Sequence, residues 1–119
     1  MKNIKISELK PDYNIIDIRS RRKYLKSHIY NAKNIDENNL IDMPYMYLDK
    51  NETYYIYCSS GHQSSRCCKL LEAQGYDVVN VEDGFEEYKI VWKYVRKKLN
   101  YKISFKDFKS FFICDIISL

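Results

Sequence analysis

Apolar and polar positions along this chain follow two rhythms, and the switches between them predict its elements. Lys5 to Leu9 reads as a short opening element, closed by the turn signal Lys10-Pro11-Asp12. Tyr13 to Ile18 is a β-branched run that suits a buried strand. Ser20 then caps a short helix over Arg21 to Ser27, and Ala32 to Ile35 is a short strand. Glu37 to Leu48 is ambiguous, because Pro44 interrupts any helix there. Thr53 to Tyr57 is the strongest strand of the sequence. A polar loop from Ser59 to Gln63 leads into a helix over Ser64 to Gln74, stopped by Gly75. Asp77 to Val81 is the next strand. After it, Gly84 opens a long helix over Phe85 to Leu99 with Phe85, Tyr88, Trp92, Val95 and Leu99 on one stripe. Strands alternating with helices predict an α/β fold, with a central, mostly parallel sheet of about five strands and helices on both faces.

The chain has 119 residues, which is one domain's length. Composition changes the picture at one point only. The net charge of +4 is unevenly spread: residues 1–88 carry twelve Lys/Arg against fourteen Asp/Glu (−2), and residues 89–119 carry eight against two (+6). A nucleic-acid binder would spread its basic patch over the fold itself, so nucleic acid is not the expected partner. The +6 segment is read first as a solvated helix face plus a tail, with docking of an acidic protein partner as the other reading. Residues 1–99 are expected to form the domain, and 100–119 an extension that is helical or poorly ordered. No apolar run is long enough to span a bilayer and no signal-peptide core opens the chain, so no membrane is expected and the cytoplasm is the expected compartment. Four cysteines there read as thiols.

The chemistry concentrates at Cys58. It stands where a buried strand ends, ahead of a short loop containing Gly61 and a following helix. In an open α/β sheet, ligands bind beyond the carboxyl ends of the strands. Backbone N–H groups of such a loop can turn inward as an anion nest, and the helix start adds its positive end. A thiol there has its thiolate stabilised and its reactivity raised. Gly61 permits positive φ, while His62, Ser59, Ser60 and Ser64 supply donors for an anionic substrate. On these residues alone two readings stand level: Cys58 is a nucleophile, or a small buried residue at a strand end. A cysteine phosphatase would need an arginine at position 64 to clamp a phosphate bidentately, and Ser64 stands there. Cys58, His62, Cys67 and Cys68 are zinc donors by type but not by spacing. Cys67 and Cys68 read as core filling, and Cys114 as incidental.

The run Cys58-Ser59-Ser60-Gly61-His62-Gln63-Ser64 resembles the active-site loop of rhodanese-like domains, which typically reads Cys-x-x-Gly-x-Arg-Ser. Three further stretches agree in order: Asp17-Ile18-Arg19; Tyr24, Ser27-His28-Ile29, Asn31-Ala32 and Asn34-Ile35; then Gly75-Tyr76, Val78 to Val81 and Asp83-Gly84-Phe85. The resemblance covers roughly residues 4 to 92. It implies a sulfurtransferase in which Cys58 takes sulfur from a small anionic donor such as thiosulfate, becomes a persulfide, and passes the sulfur to a thiol or cyanide. It implies Cys58 as the catalytic residue and residues Ser59, Ser60, Gly61, His62, Gln63 and Ser64 as the substrate-binding loop. Asp17 and Arg19 are expected to support that loop as an ion pair, and His28 to bond nearby backbone. No metal or organic cofactor is needed by such a cycle. Gln63 stands where the family usually has Arg, Ser27 and Asp83 where it has Gly, and Tyr88 where it has Trp. Arg66, further along the helix, reads as a surface residue. The Gln63 exchange keeps a second reading in play, a weakly catalytic module that carries persulfide sulfur or binds a partner.

Overall fold

A computed structural model describes residues 1–98; expectations for Leu99, the 100–119 extension and Cys114 lie outside the described residues. The strands are β1 (Lys2–Ile4), β2 (Asn14–Asp17), β3 (Lys33–Asn34), β4 (Thr53–Tyr57) and β5 (Asp77–Val81). The helices are α1 (Arg21–Lys26), α2 (Glu37–Asp42), α3 (His62–Ala73) and α4 (Gly84–Lys98), with single 3₁₀ turns at Ile6–Glu8 and Pro44–Met46. All strand pairs are parallel, in the order β1-β5-β4-β2-β3. Ile16 faces Ile56 across β2 and β4, and Tyr55 faces Val79 across β4 and β5.

The two faces of the sheet explain the composition of its strands. Side chains alternate across a strand, so a strand buried on both sides must be apolar throughout. Ile15, Tyr57 and Val81 face one cluster, closed by Phe85, Tyr88, Trp92 and Val95 of α4. Ile16, Ile56 and Val78 face the other, closed by Leu40 of α2 and by Cys67, Cys68 and Leu71 of α3. Helices therefore cover both faces, as the alternation predicts. Among the described residues no helix is long and apolar enough to cross a membrane.

Most element ends lie within one residue of the sequence expectation, and three places differ by more, each for a local reason. The opening element between Lys5 and Leu9 is a 3₁₀ turn over Ile6–Glu8: Glu8 N–H donates to Lys5 O and the Glu8 carboxylate takes the Lys5 N–H. The opening strand is Lys2–Ile4, which is ordered by pairing with β5 at the sheet edge. The ambiguous stretch divides at Met43, with a helix before it and a turn opened by Pro44 after it. Finally, α3 begins at His62, not Ser64. Gly61 at φ +94° holds the N-cap position without a side-chain cap, and its carbonyl already accepts from Ser65 N–H. Ser64, where the sequence pattern starts the helix, bonds back to that same carbonyl.

Candidate active site

β4 delivers Cys58 to the carboxyl end of the sheet, and the chain turns at once into α3. Gly61 makes that turn possible. An added Cβ there would come within 2.7 Å of the Glu82 carbonyl carbon, so only glycine lets the loop lie against the β5–α4 turn. Gly84, at φ +66°, meets the loop from the other side; a Cβ there would stand 2.6 Å from Ser59 O. The loop is further fastened by Phe85 N–H to Cys58 O (2.9 Å) and Glu86 N–H to Ser59 O (3.0 Å).

Within this frame two backbone N–H groups aim at Cys58 Sγ, from Gly61 at 3.1 Å and from Ser64 at 3.3 Å. The thiol in turn lies 3.4 Å from Ser64 Oγ. Cys58 is 1% exposed, with Ile18, Ile56, Cys67 and Cys68 in the apolar cluster on its inner side. The sulfur thus lies between a hydrocarbon floor and an arc of amides in the first turn of a twelve-residue helix, whose unpaired N–H groups favour negative charge.

The other predicted loop residues divide into two groups. Ser59 and Gln63 line a groove of about 320 Å³ beside the loop, together with Arg19, Lys23, Asp36 and Glu37. Ser60 and His62 bond each other at the exposed rim of the loop, Oγ to Nδ1 at 3.0 Å. Arg66 is turned away: its guanidinium meets Glu37 at 3.4 Å with two-thirds of its side chain exposed.

Asp17 and Arg19 form the expected ion pair, and it is buried. Arg19 Nη2 lies 2.7 Å from Asp17 Oδ2, Arg19 Nε donates at 3.1 Å, and Arg19 N–H donates to Oδ1 at 2.8 Å. Arg19 also donates to Ser27 O (2.7 Å) and lies 3.9 Å over the Phe85 ring. Ser27 is extended, at φ −168°, a conformation open to any residue, so the missing glycine costs nothing there. Asp83, likewise in place of glycine, accepts Ile6 N–H at 2.8 Å and ties the sheet edge to the β5–α4 turn. His28 stacks on Tyr24 and its Nδ1 meets Tyr24 O at 2.8 Å.

Tyr57 is the residue that sequence reasoning missed. Its hydroxyl donates to Asp17 Oδ2 at 2.6 Å and accepts Ile29 N–H at 3.1 Å. Burial, and then the Asp17 charge, push its phenol well above the usual tyrosine range, so it stays a donor. In the sequence it reads only as one more strand former. The available signal was its register, one residue before Cys58 and therefore on the opposite face. Burial also pushes the Cys67 thiol up to about 12 and raises Cys68 further, which leaves both thiols protonated and unreactive at neutral pH. Among the described residues no group of His, Cys, Asp and Glu side chains is placed to hold a metal ion.

Comparison with known proteins agrees with this architecture. The chain is 35% identical to SSP1007 of Staphylococcus saprophyticus, whose crystal structure superposes with a TM-score of 0.68 over 74% of this chain and 93% of that one. It is 34% identical over 70 residues to the putative sulfurtransferase YtwF of Bacillus subtilis, covering 59% of this chain and 67% of that protein. It is 39% identical over 61 residues to the tRNA sulfurtransferase of Thermoplasma acidophilum, covering 51% of this chain. The chain spans only 12% of that last protein's length, and 21% of another curated relative's. Residues 4–90 match the rhodanese-like domain as a family. That match spans the parallel sheet, the cysteine at the end of β4 and the amide-lined loop, and the chain belongs to the rhodanese-like domain family.

Proposed function

We propose that this protein is a sulfurtransferase whose Cys58 carries the transferred sulfur as a persulfide. The carrying observation is the pair of amides from Gly61 and Ser64 converging on Cys58 Sγ. Donors fixed where negative charge sits stabilise it without reorganising. In the first step the Cys58 thiolate attacks the outer sulfur of a donor such as thiosulfate. A new sulfur–sulfur bond forms, the donor's own sulfur–sulfur bond breaks, and sulfite leaves with the bonding pair. The outer sulfur of the persulfide now bears the charge. In the second step an acceptor thiolate or cyanide attacks that outer sulfur, and Cys58 is released as thiolate.

The remaining residues fall into supporting roles. Gly61 and Ser64 hold the sulfur, and the Ser64 hydroxyl turns toward it once the thiol is ionised. Ser59 and Gln63 form the wall along which donor and acceptor approach, with Ser60 and His62 at the rim. Asp17 and Arg19 fix the end of β2 against Tyr57, and so position the residue that precedes Cys58. The almost complete cover of Cys58 favours a slim sulfur atom over a bulky group. Free buried thiols at Cys58, Cys67 and Cys68 suit a reducing compartment such as the cytoplasm.

Mass spectrometry of the protein after incubation with thiosulfate tests this reading. One added sulfur on Cys58, absent in Cys58→Ser, with thiocyanate formed from cyanide only by the native protein, is the expected result. Equal thiocyanate formation by both proteins would exclude it. A second reading is favoured by Gln63, which leaves the loop without a guanidinium, and by a relative named as a putative sulfur carrier. In it, Cys58 accepts sulfur from a protein persulfide and thiosulfate turns over slowly.

A further inference from the structure

The groove beside the Cys58 loop has a charge pattern that the donor chemistry does not use. Three cations and three acids stand in or around it, and most are already engaged. Arg19 is held by Asp17, and Glu37 is held by Arg66. Lys23 of α1 and Asp36 at the start of α2 are left, and both line the groove. Lys23 forms no ion pair among the described residues. Asp36 accepts one N–H bond, from Asn39 to Oδ2 at 3.2 Å, and its other oxygen has no donor among the described residues. The two are of opposite sign and share one cavity, yet no ion pair joins them. The groove is therefore positive along α1, negative along α2, and close to neutral in sum.

That pattern suits a dianion such as thiosulfate poorly, because Asp36 and Glu37 face whatever Lys23 attracts. It suits a molecule with a charge of each sign. We propose that the groove binds the acceptor, and that it selects small thiols carrying both a carboxylate and an ammonium group, with Lys23 taking the carboxylate and Asp36 the ammonium. The volume of about 320 Å³ is that of roughly ten waters at ~30 Å³ each, enough for an amino-acid thiol with some solvent. Ser59 and Gln63 bring the groove to the loop that holds Cys58, so a bound thiol lies next to the persulfide. Its thiolate attacks the outer sulfur, forming a new sulfur–sulfur bond. The bond to Cys58 breaks, and its electron pair returns to Cys58 Sγ under the Gly61 and Ser64 amides. The proton of the acceptor thiol is lost to solvent before attack, and the product is the acceptor's persulfide.

This rests on the persulfide reading of Cys58, and the test separates the two. Cys58 is first loaded with thiosulfate and the added sulfur is confirmed by mass. Failure to load from thiosulfate and also from a small persulfide such as cysteine persulfide overturns the sulfur-transfer reading itself. The loaded protein is then discharged in single turnovers, at equal thiolate concentration, by cysteine, mercaptopropionate, cysteamine and mercaptoethanol. These carry both charges, the carboxylate alone, the ammonium alone, and neither. Cysteine is expected to react fastest. Lys23→Met is expected to slow cysteine and mercaptopropionate by about threefold to fivefold, the scale of one exposed charge contact, and to leave cysteamine unchanged. Asp36→Asn, which keeps an oxygen to cap α2, is expected to slow cysteine and cysteamine alone. Neither side chain is part of the buried core, so neither variant threatens the fold. Equal rates for the four thiols, or a loss in Lys23→Met that ignores the acceptor's charge, would overturn the proposal.

Discussion

Replacing Asp17 by Asn tests whether the buried pair behind the loop holds it in place. The carboxylate is fully buried and accepts from Arg19 Nε, Arg19 Nη2, Arg19 N–H and Tyr57 Oη. Asn keeps the shape but removes the charge, and it turns an NH₂ group toward one of these donors. The Arg19 side chain, 5% exposed and stacked on Phe85, is then a buried cation with no counter-charge. Breaking a buried pair in this way costs about 3–5 kcal/mol. A domain of this size holds roughly 5–15 kcal/mol in all, so the loss is a large fraction of its stability. Urea unfolding followed by Trp92 fluorescence reads it as a fall in midpoint at constant slope. Removing both charges at once should cost less. Asp17→Asn combined with Arg19→Met is expected to recover about 2 kcal/mol against the sum of the single losses, because most of each single loss is the stranded partner. A loss below about 1 kcal/mol in Asp17→Asn, or plain additivity in the double variant, would show that the pair is not what holds this corner.

Two further substitutions address the loop and the core. Gly61→Ala and Gly75→Ala both force an L residue to positive φ, at +94° and +95°. The Gly75 site is open except for the flexible Lys50 side chain at 3.4 Å, whereas Gly61 faces the Glu82 backbone. Strain of about 1–3 kcal/mol is expected at both, with loss of sulfur loading on Cys58 only for Gly61→Ala; matched loading in the two variants would contradict the account of the loop. Cys67 bears on pH dependence. Its thiol is raised from 9.0 to about 12, chiefly by burial, so the fold favours the protonated form. That contribution is complete below about pH 9 and is lost as pH rises toward 12. Between about pH 8 and 10 it removes about 1.4 kcal/mol from the stability. Unfolding curves of Cys67→Ala should fall less steeply with pH over that interval, and an unchanged slope would contradict the assignment.

Most of the sheet was legible because its central strands run into the core. Thr53–Tyr57 and Asp77–Val81 have the bounds that their β-branched and aromatic runs predict, and the stripe from Phe85 to Val95 covers one sheet face. The edge was less legible. Lys2–Ile4 is short and largely exposed, and it is a strand because β5 pairs with it, a fact no local pattern carries. The site divides in the same way. Strand, cysteine, glycine and helix lie close together along the chain, so their order in the sequence already implies the loop. The partnership of Tyr57 with Asp17, forty positions away, and the groove formed by Lys23 and Asp36 beside Ser59 depend on how distant elements pack.

At Gln63 local and distant information meet. Taken from the motif alone, it removes a positive charge beside the sulfur; of the nearby arginines, Arg19 lines the groove and Arg66 meets Glu37 beside it. The packing withholds both, since Arg66 turns to Glu37 and Arg19 is spent on Asp17. Cys58 is left with amide dipoles and a helix end in place of a full charge. Dipoles of that kind favour a nearby negative charge at short range. They do little for the second charge of a dianion arriving from water, whose attraction depends on net charge at longer range. On the proposed persulfide reading, the loop is therefore expected to hold sulfur already on Cys58 better than it competes for a dianionic donor. If Cys58 carries the transferred sulfur as proposed, selectivity is expected to come from the groove walls rather than from the loop.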